Sequence, residues 1–142
     1  MTVEELIRRY RVGERNFAGV DLSGARLCGS DLNGINLIGA NLSRVTLQDT
    51  FLADANLDGA NLEGANLGGS NFERATLRSA NLDGASLVET NLEGANLDGA
   101  TLRGASIEGV EADVLLFCSY KTIMPDGQIV SSPWASENPF TN

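Results

Sequence analysis

The chain has no histidine, two cysteines, three prolines and one tryptophan, and only 6% of its 142 residues are aromatic. Without imidazole, and with Cys28 and Cys118 far apart, a transition-metal site has almost no ligands to draw on, so no metal and no cofactor is expected. No nucleophile elbow, phosphate-binding glycine loop or histidine-based pair occurs. The chain therefore reads as non-catalytic. The longest apolar run, Val114 to Cys118, is far too short to span a membrane, and no secretory signal is visible, which points to a single cytoplasmic domain. Positive charge is also scarce: ten Lys and Arg face nineteen Asp and Glu, a net charge of −9. Such acidity repels nucleic acid and anionic membrane, so neither is expected as a direct partner.

What is abundant is regular. From Phe17 to Ile107 every fifth residue is large and apolar, sixteen Leu with Phe17, Phe72 and Ile107. A period of five matches neither the helix nor the strand, so the repeated unit must turn as it goes. Two before each large residue stands a small one, Ala in eleven of nineteen units, and between them a polar one, Asn in ten. In extended backbone, residues two apart point the same way and the one between points the other way. Each unit is thus a very short strand with its apolar side inward. Thirteen of the nineteen last positions, Gly19 to Gly109, are Gly, which supplies the positive φ that a type II turn needs. A unit such as Ala60-Asn61-Leu62-Glu63-Gly64 ends in a corner.

Four inward positions carry hydroxyls, Ser30, Thr50, Ser70 and Thr90, each twenty residues after the last. A coil of four units places them in one column, whereas a three-unit coil would scatter them over all sides. Stacked about 4.8 Å apart, they can bond to each other or to the coil backbone, as a buried hydroxyl must. The coil is therefore square and twenty residues round. These units resemble the A(D/N)LXX pattern of the pentapeptide-repeat proteins over roughly residues 16 to 110. The resemblance implies an all-β fold, a right-handed quadrilateral β-helix of about five coils; the handedness rests on the resemblance, and the four sides on the hydroxyl column.

The ends depart from the rhythm. Thr2 followed by Glu5 reads as a capping box, and Val3, Leu6, Ile7 and Tyr10 share one helical face up to Gly13. Residues 1–15 are thus expected to form a short capping helix over the first coil, and residues 16–114 the β-helix. The rhythm lapses at Ala112 and returns at Phe117, so residues 115–130 are expected to plug the last coil, with a turn at Met124-Pro125-Asp126-Gly127. This ending resembles that of cyanobacterial members of the family. Residues 131–142 are expected to be a flexible tail, with Trp134 packing back. Cys28 and Cys118 lie roughly 20 Å apart by the coil spacing, beyond the reach of a disulfide, so both are read as free thiols.

Side one carries Leu37, Leu57, Leu77 and Leu97; side two Leu42 and Leu62; side three Leu47 and Leu67; side four Leu52, Phe72 and Leu92. On sides one and two the polar columns are nearly all Asn and predict amide ladders along the stack, with Asp58, Arg78 and Asp98 alternating in sign. Sides three and four break the pattern. Asp49, Asp54, Arg74 and Glu89 replace corner glycines there, Phe51 stands outward where Asn is expected, and Glu73, Glu93 and Asp113 stack like charges about 4.8 Å apart. Asp49, Phe51, Asp54, Glu73, Arg74, Glu89, Glu93 and Asp113 make the candidate interaction surface, against the plainer reading of a solvated acidic face.

The acidity belongs to the solenoid: residues 16–114 hold five Arg and fourteen Asp or Glu. The expected role is a protein-interaction or scaffold module with an unidentified protein partner, the chain being a monomer or a weak homodimer through an end cap. The alternative is an acidic DNA mimic. Resemblance to the quinolone-resistance members of the family implies a DNA-binding partner such as DNA gyrase. A rod of about 24 Å would carry one net charge per about 2.7 Å, thinner than the one per about 1.7 Å of duplex DNA.

Overall fold

In the computed structural model the description covers residues 1–110 and 121–130. Helix α1 spans Val3–Arg11, the solenoid follows, and strands β1 (Thr122–Ile123) and β2 (Ile129–Val130) form an antiparallel hairpin. In the solenoid each polar position pairs in parallel with the residue twenty further on, from Asn16 with Asn36 to Ser86 with Ser106. Four five-residue sides therefore make one coil, as the hydroxyl column requires.

Every side repeats one bonding scheme. On side one the N–H of Asn56 donates to the Ile35 carbonyl in the coil before at 2.9 Å, and the N–H groups of Leu57 and Gly59 donate to Thr76 and Arg78 in the coil after, at 2.7 and 2.8 Å. The corner closes within the unit, Ala60 N–H to Leu57 carbonyl at 3.0 Å, with Gly59 at φ 67°. Side chains two apart point inward together, so the large column from Phe17 to Leu102 and the alanines from Ala40 to Ala105 fill the prism. Ile35 and Val45 occupy small positions, also fully buried.

The inward hydroxyls bond to backbone rather than to each other. Thr50 donates to the Leu27 carbonyl at 3.0 Å, Thr90 to Leu67 at 2.9 Å, and Ser70 likewise to Leu47. Each thus ties one coil to the large residue one corner back in the preceding coil. Thr122 makes the same bond to Leu97 at 2.6 Å, and its neighbour Ile123 pairs with Thr101, 22 residues before it rather than twenty. Met124 then takes the large inward place and is buried. So β1 supplies one rung of a further coil on side two, displaced by two residues, and the turn expected at Met124-Pro125-Asp126-Gly127 closes with Gly127 N–H on the Met124 carbonyl at 2.8 Å. The change of rhythm between Ala112 and Phe117, Asp113, Cys118 and the expected tail of residues 131–142, Trp134 included, lie outside the described residues.

At the other end the Thr2 hydroxyl accepts the Glu5 N–H at 3.1 Å. Leu6 is fully buried in the solenoid core, with Val3, Ile7 and Tyr10 packed against it. Arg9 holds Glu14 and lies 5.0 Å from the Phe17 ring centre, fastening α1 over the first coil.

Candidate interaction face

The faces of the prism differ in how they satisfy one group. The variable residue after each large one has an outward N–H that the coil-to-coil ladder does not use. On sides one, two and four the polar residue two before it turns back to accept that N–H, as Asn56 does for Asp58 at 3.0 Å, Asn61 for Glu63 at 3.1 Å and Asn71 for Glu73 at 2.9 Å. This is the Asx turn. The expected amide ladders are thereby corrected: an Asn oxygen committed to its own strand rarely bonds along the stack, and the 3.4 Å contact between Asn36 and Asn16 is the one such amide pair among the described residues.

Where the polar position cannot cap, the coil before supplies the acceptor. Phe51 has no oxygen to offer, and Asn33 accepts the Ala53 N–H at 2.8 Å. Thr76 and Thr101 do not cap, and Asp58 and Asp83 accept the N–H groups of Arg78 and Arg103, each at 2.9 Å. Burial would raise the Asp58 carboxyl, but hydrogen bonds from Arg78 and Thr76 outweigh it and hold the carboxyl below its usual range. The alternation of Asp58 and Arg78 is thus an ion pair at 2.8 Å as well as a backbone cap.

Side three largely lacks both devices. Its polar column runs Arg26, Thr46, Asn66, Ser86, Ser106, and only Asn66 caps, accepting Gly68 N–H at 3.1 Å. Among the described residues none accepts the N–H of Cys28, Gln48, Val88 or Glu108; Cys28, Gln48 and Glu108 are exposed and Val88 half-buried. Side three thus carries four free outward donors around the capped Gly68 N–H, whereas among the described residues the variable-position N–H groups of the other three sides all have an acceptor. The scarcity of Asn in its polar column, Asn66 alone among five, was the sequence signal for it.

The candidate residues surround that column unevenly. Asp49 and Glu89 stand at its corner with φ of 53° and 56°, each leaning over the glycine one coil on. Phe51 is 50% exposed at the middle of side four. Arg74 joins its neighbours: its guanidinium meets both Asp54 oxygens at 2.9 and 3.1 Å and Glu73 at 2.6 Å. Those bonds hold Asp54 low and Arg74 above its ordinary value. The expected stacking repulsion at Glu73 is therefore offset. Glu93 is exposed and, like Asp49 and Glu89, in no ion pair among the described residues, so these three carry the open negative charge of this edge. No cluster of His, Cys, Asp or Glu that could hold a metal occurs among the described residues, and Cys28 is an exposed free thiol.

A square parallel β-helix with filled corners is a repeat solenoid. Residues 16–54, 35–74, 55–94 and 75–111 match the family model of pentapeptide repeats, and the chain belongs to that family, whose members fold as right-handed quadrilateral β-helices. Among solved structures it is similar to the pentapeptide repeat protein Rfr23 of the cyanobacterium Cyanothece 51142, at 29% identity and TM-score 0.68 over 78% of this chain and 95% of that one. It is also similar to a pentapeptide repeat protein from the Arabidopsis thaliana thylakoid lumen, at 26% identity and TM-score 0.50 over 81% and 83%. No curated protein matches. Proteins of the family are generally structural or interaction proteins, and no described helix here is long and apolar enough to cross a membrane.

Proposed function

We propose that the protein is a non-catalytic interaction or scaffold module, working in the cytoplasm as a monomer or a weak homodimer through an end cap, and that a protein partner docks along the edge between sides three and four. The observation that supports this is the set of uncapped N–H donors at Cys28, Gln48, Val88 and Glu108. Beside them lie Phe51, which offers an aromatic anchor of the kind that dominates interfaces, and the unpaired carboxylates of Asp49, Glu89 and Glu93. Asp113 belongs to the same proposed edge by sequence.

Ser86→Asn tests the reading without disturbing the fold, because Asn is the usual residue at the polar position of the repeat and would cap Val88 N–H, as Asn66 caps Gly68 one coil earlier. A pull-down with wild type, Ser86→Asn, Phe51→Asn and Glu93→Arg should show reduced partner recovery by all three variants at unchanged melting temperature. Equal recovery by all four proteins would sink the assignment of this edge. DNA imitation is the second reading, favoured by the net charge of −9. Against it, Arg74, Arg78 and Arg103 lie within 4 Å of Asp54, Asp58 and Asp83 and break the acid into patches. The expected result in a gyrase supercoiling assay is no inhibition, and inhibition at about micromolar protein would reverse the ranking.

A further inference from the structure

Side four begins on a rung with nothing beneath it. In later coils its inward hydroxyl and its polar-position N–H both bond to the coil before: Thr50 to the Leu27 carbonyl at 3.0 Å and Phe51 N–H to the Ser30 carbonyl at 2.9 Å. Ser70 and Asn71 repeat the pair, as do Thr90 and Asn91. In the first coil the corresponding groups are the Ser30 hydroxyl and the Asp31 N–H, and among the described residues neither has a partner. Helix α1 does not fill the place. Among the described residues its one hydrogen bond to this side is from the Tyr10 hydroxyl, which donates to the Asn33 carbonyl at 2.7 Å. A cleft of about 570 Å³ is left, lined by Ile7, Tyr10, Arg11, Arg15, Ser30 and Asp31 together with Gly29.

The lining is unlike the rest of the molecule in sign. Residues 1–15 carry a net +1 within a chain of −9, from four Arg against three Glu. Arg9 is consumed by Glu14, whereas Arg11 is exposed and, among the described residues, in no ion pair. Arg15 stacks on the Tyr10 ring at 3.7 Å and spends one nitrogen on the Tyr10 and Glu14 carbonyls, which fixes its guanidinium at the cleft and leaves its other donors open. The Asp31 carboxylate, the one acid in the lining, already accepts Asn33 N–H at 3.1 Å.

We infer that this cleft binds the C-terminal carboxylate of an extended peptide. The peptide backbone replaces the missing coil, its carbonyls accepting from the Ser30 hydroxyl and Asp31 N–H and one of its N–H groups donating to the Asp31 carbonyl, while the carboxylate meets Arg11 and Arg15. The volume falls in the range of small-ligand pockets, and fork-shaped guanidinium donors suit a carboxylate. The cleft adjoins the first coil of the edge between sides three and four, beside Cys28 and one coil from Phe51, but Arg11 and Arg15 belong to the cleft alone, so Arg11→Gln tests it separately.

The test is an amide NMR titration of the ¹⁵N-labelled full chain with N-acetyl-Ala-Ala-Ala bearing a free carboxylate, and with the same tripeptide as its amide. The expected result is a saturable shift of the Ser30 and Asp31 amides with the acid, half complete at about 1 mM. Binding should weaken about tenfold for the amide and in Arg11→Gln, a substitution at an exposed residue that leaves the amides of Leu62 and Leu82 in place. An equal response to acid and amide, an unaltered response in Arg11→Gln, or no shift at Asp31 up to about 10 mM would overturn the inference.

Discussion

At the residue scale, one backbone atom per unit explains most of the outward side chains. Asn recurs before the large residue because its oxygen reaches the N–H two residues on, and where that residue is Phe51, Thr76 or Thr101 an Asn or Asp one coil earlier takes the task. Asp58 shows the consequence for pH. Its folded carboxyl is held below the ordinary value of 3.8, so its contribution is present above that value and lost as pH falls through the folded pKa. Asp58→Asn should lower the melting temperature at neutral pH, and the gap to wild type should close as the pH drops well below 3.8; a gap independent of pH would contradict the assignment. The corners carry a second residue-scale rule. Glu89 overlies Gly109, where an added Cβ would come within 2.7 Å of its Cγ and 3.3 Å of its backbone, while nothing lies within 4 Å of such an atom at Gly19. The two glycines have φ of 76° and 72°, so Ala costs about 1–2 kcal/mol at either for the backbone alone. Gly109→Ala should melt lower than Gly19→Ala, and Glu89→Gly should restore part of the difference.

At the scale of elements, each coil rests on its neighbours only, as in other solenoids. The helix is the exception that shows what an end requires. Leu6 is its one fully buried residue, and it caps a column of large side chains that would otherwise face water. Leu6→Ala should therefore loosen the first coil before the rest. Hydrogen exchange at Phe17, Leu22 and Leu27 should quicken by at least tenfold, as about 1.4 kcal/mol of lost local stability implies, while exchange at Leu62 and Leu82 stays within twofold. Uniform acceleration along the chain would mean that the solenoid opens as one unit. The cap was legible in the sequence from Thr2 and Glu5 and from the face of Val3, Leu6, Ile7 and Tyr10. The gap it leaves on side four was not, because that depends on where the helix axis crosses the square.

At the scale of the molecule, the prism has a dry interior and a surface whose polarity is mostly spent on itself. Leu62 is 0% exposed, and a carboxylate there has no partner, which costs several kcal/mol. Leu62→Asp should unfold the chain or lower its melting temperature sharply, by circular dichroism, and a variant melting like wild type would place Leu62 outside. The candidate surface was legible in part. Asp49, Phe51, Asp54, Arg74 and Glu89 stood out as departures from the repeat, and the structure sets them on two adjoining sides. It also removes Asp54, Glu73 and Arg74 from the open charge by pairing them.

The sequence by itself determined the coil, because a strict period of five with inward hydroxyls every twenty residues admits one closure, and side-chain direction in a short strand follows from backbone geometry alone. It also carried the family. Only the tertiary structure decided which polar groups are spent and which are free. Whether an outward N–H is capped depends on an atom two residues away or a whole coil away, and whether a carboxylate is open depends on which arginine stands above it. The pairings that decide the exceptions join residues twenty apart, and the stacking that brings them together is a property of the folded chain.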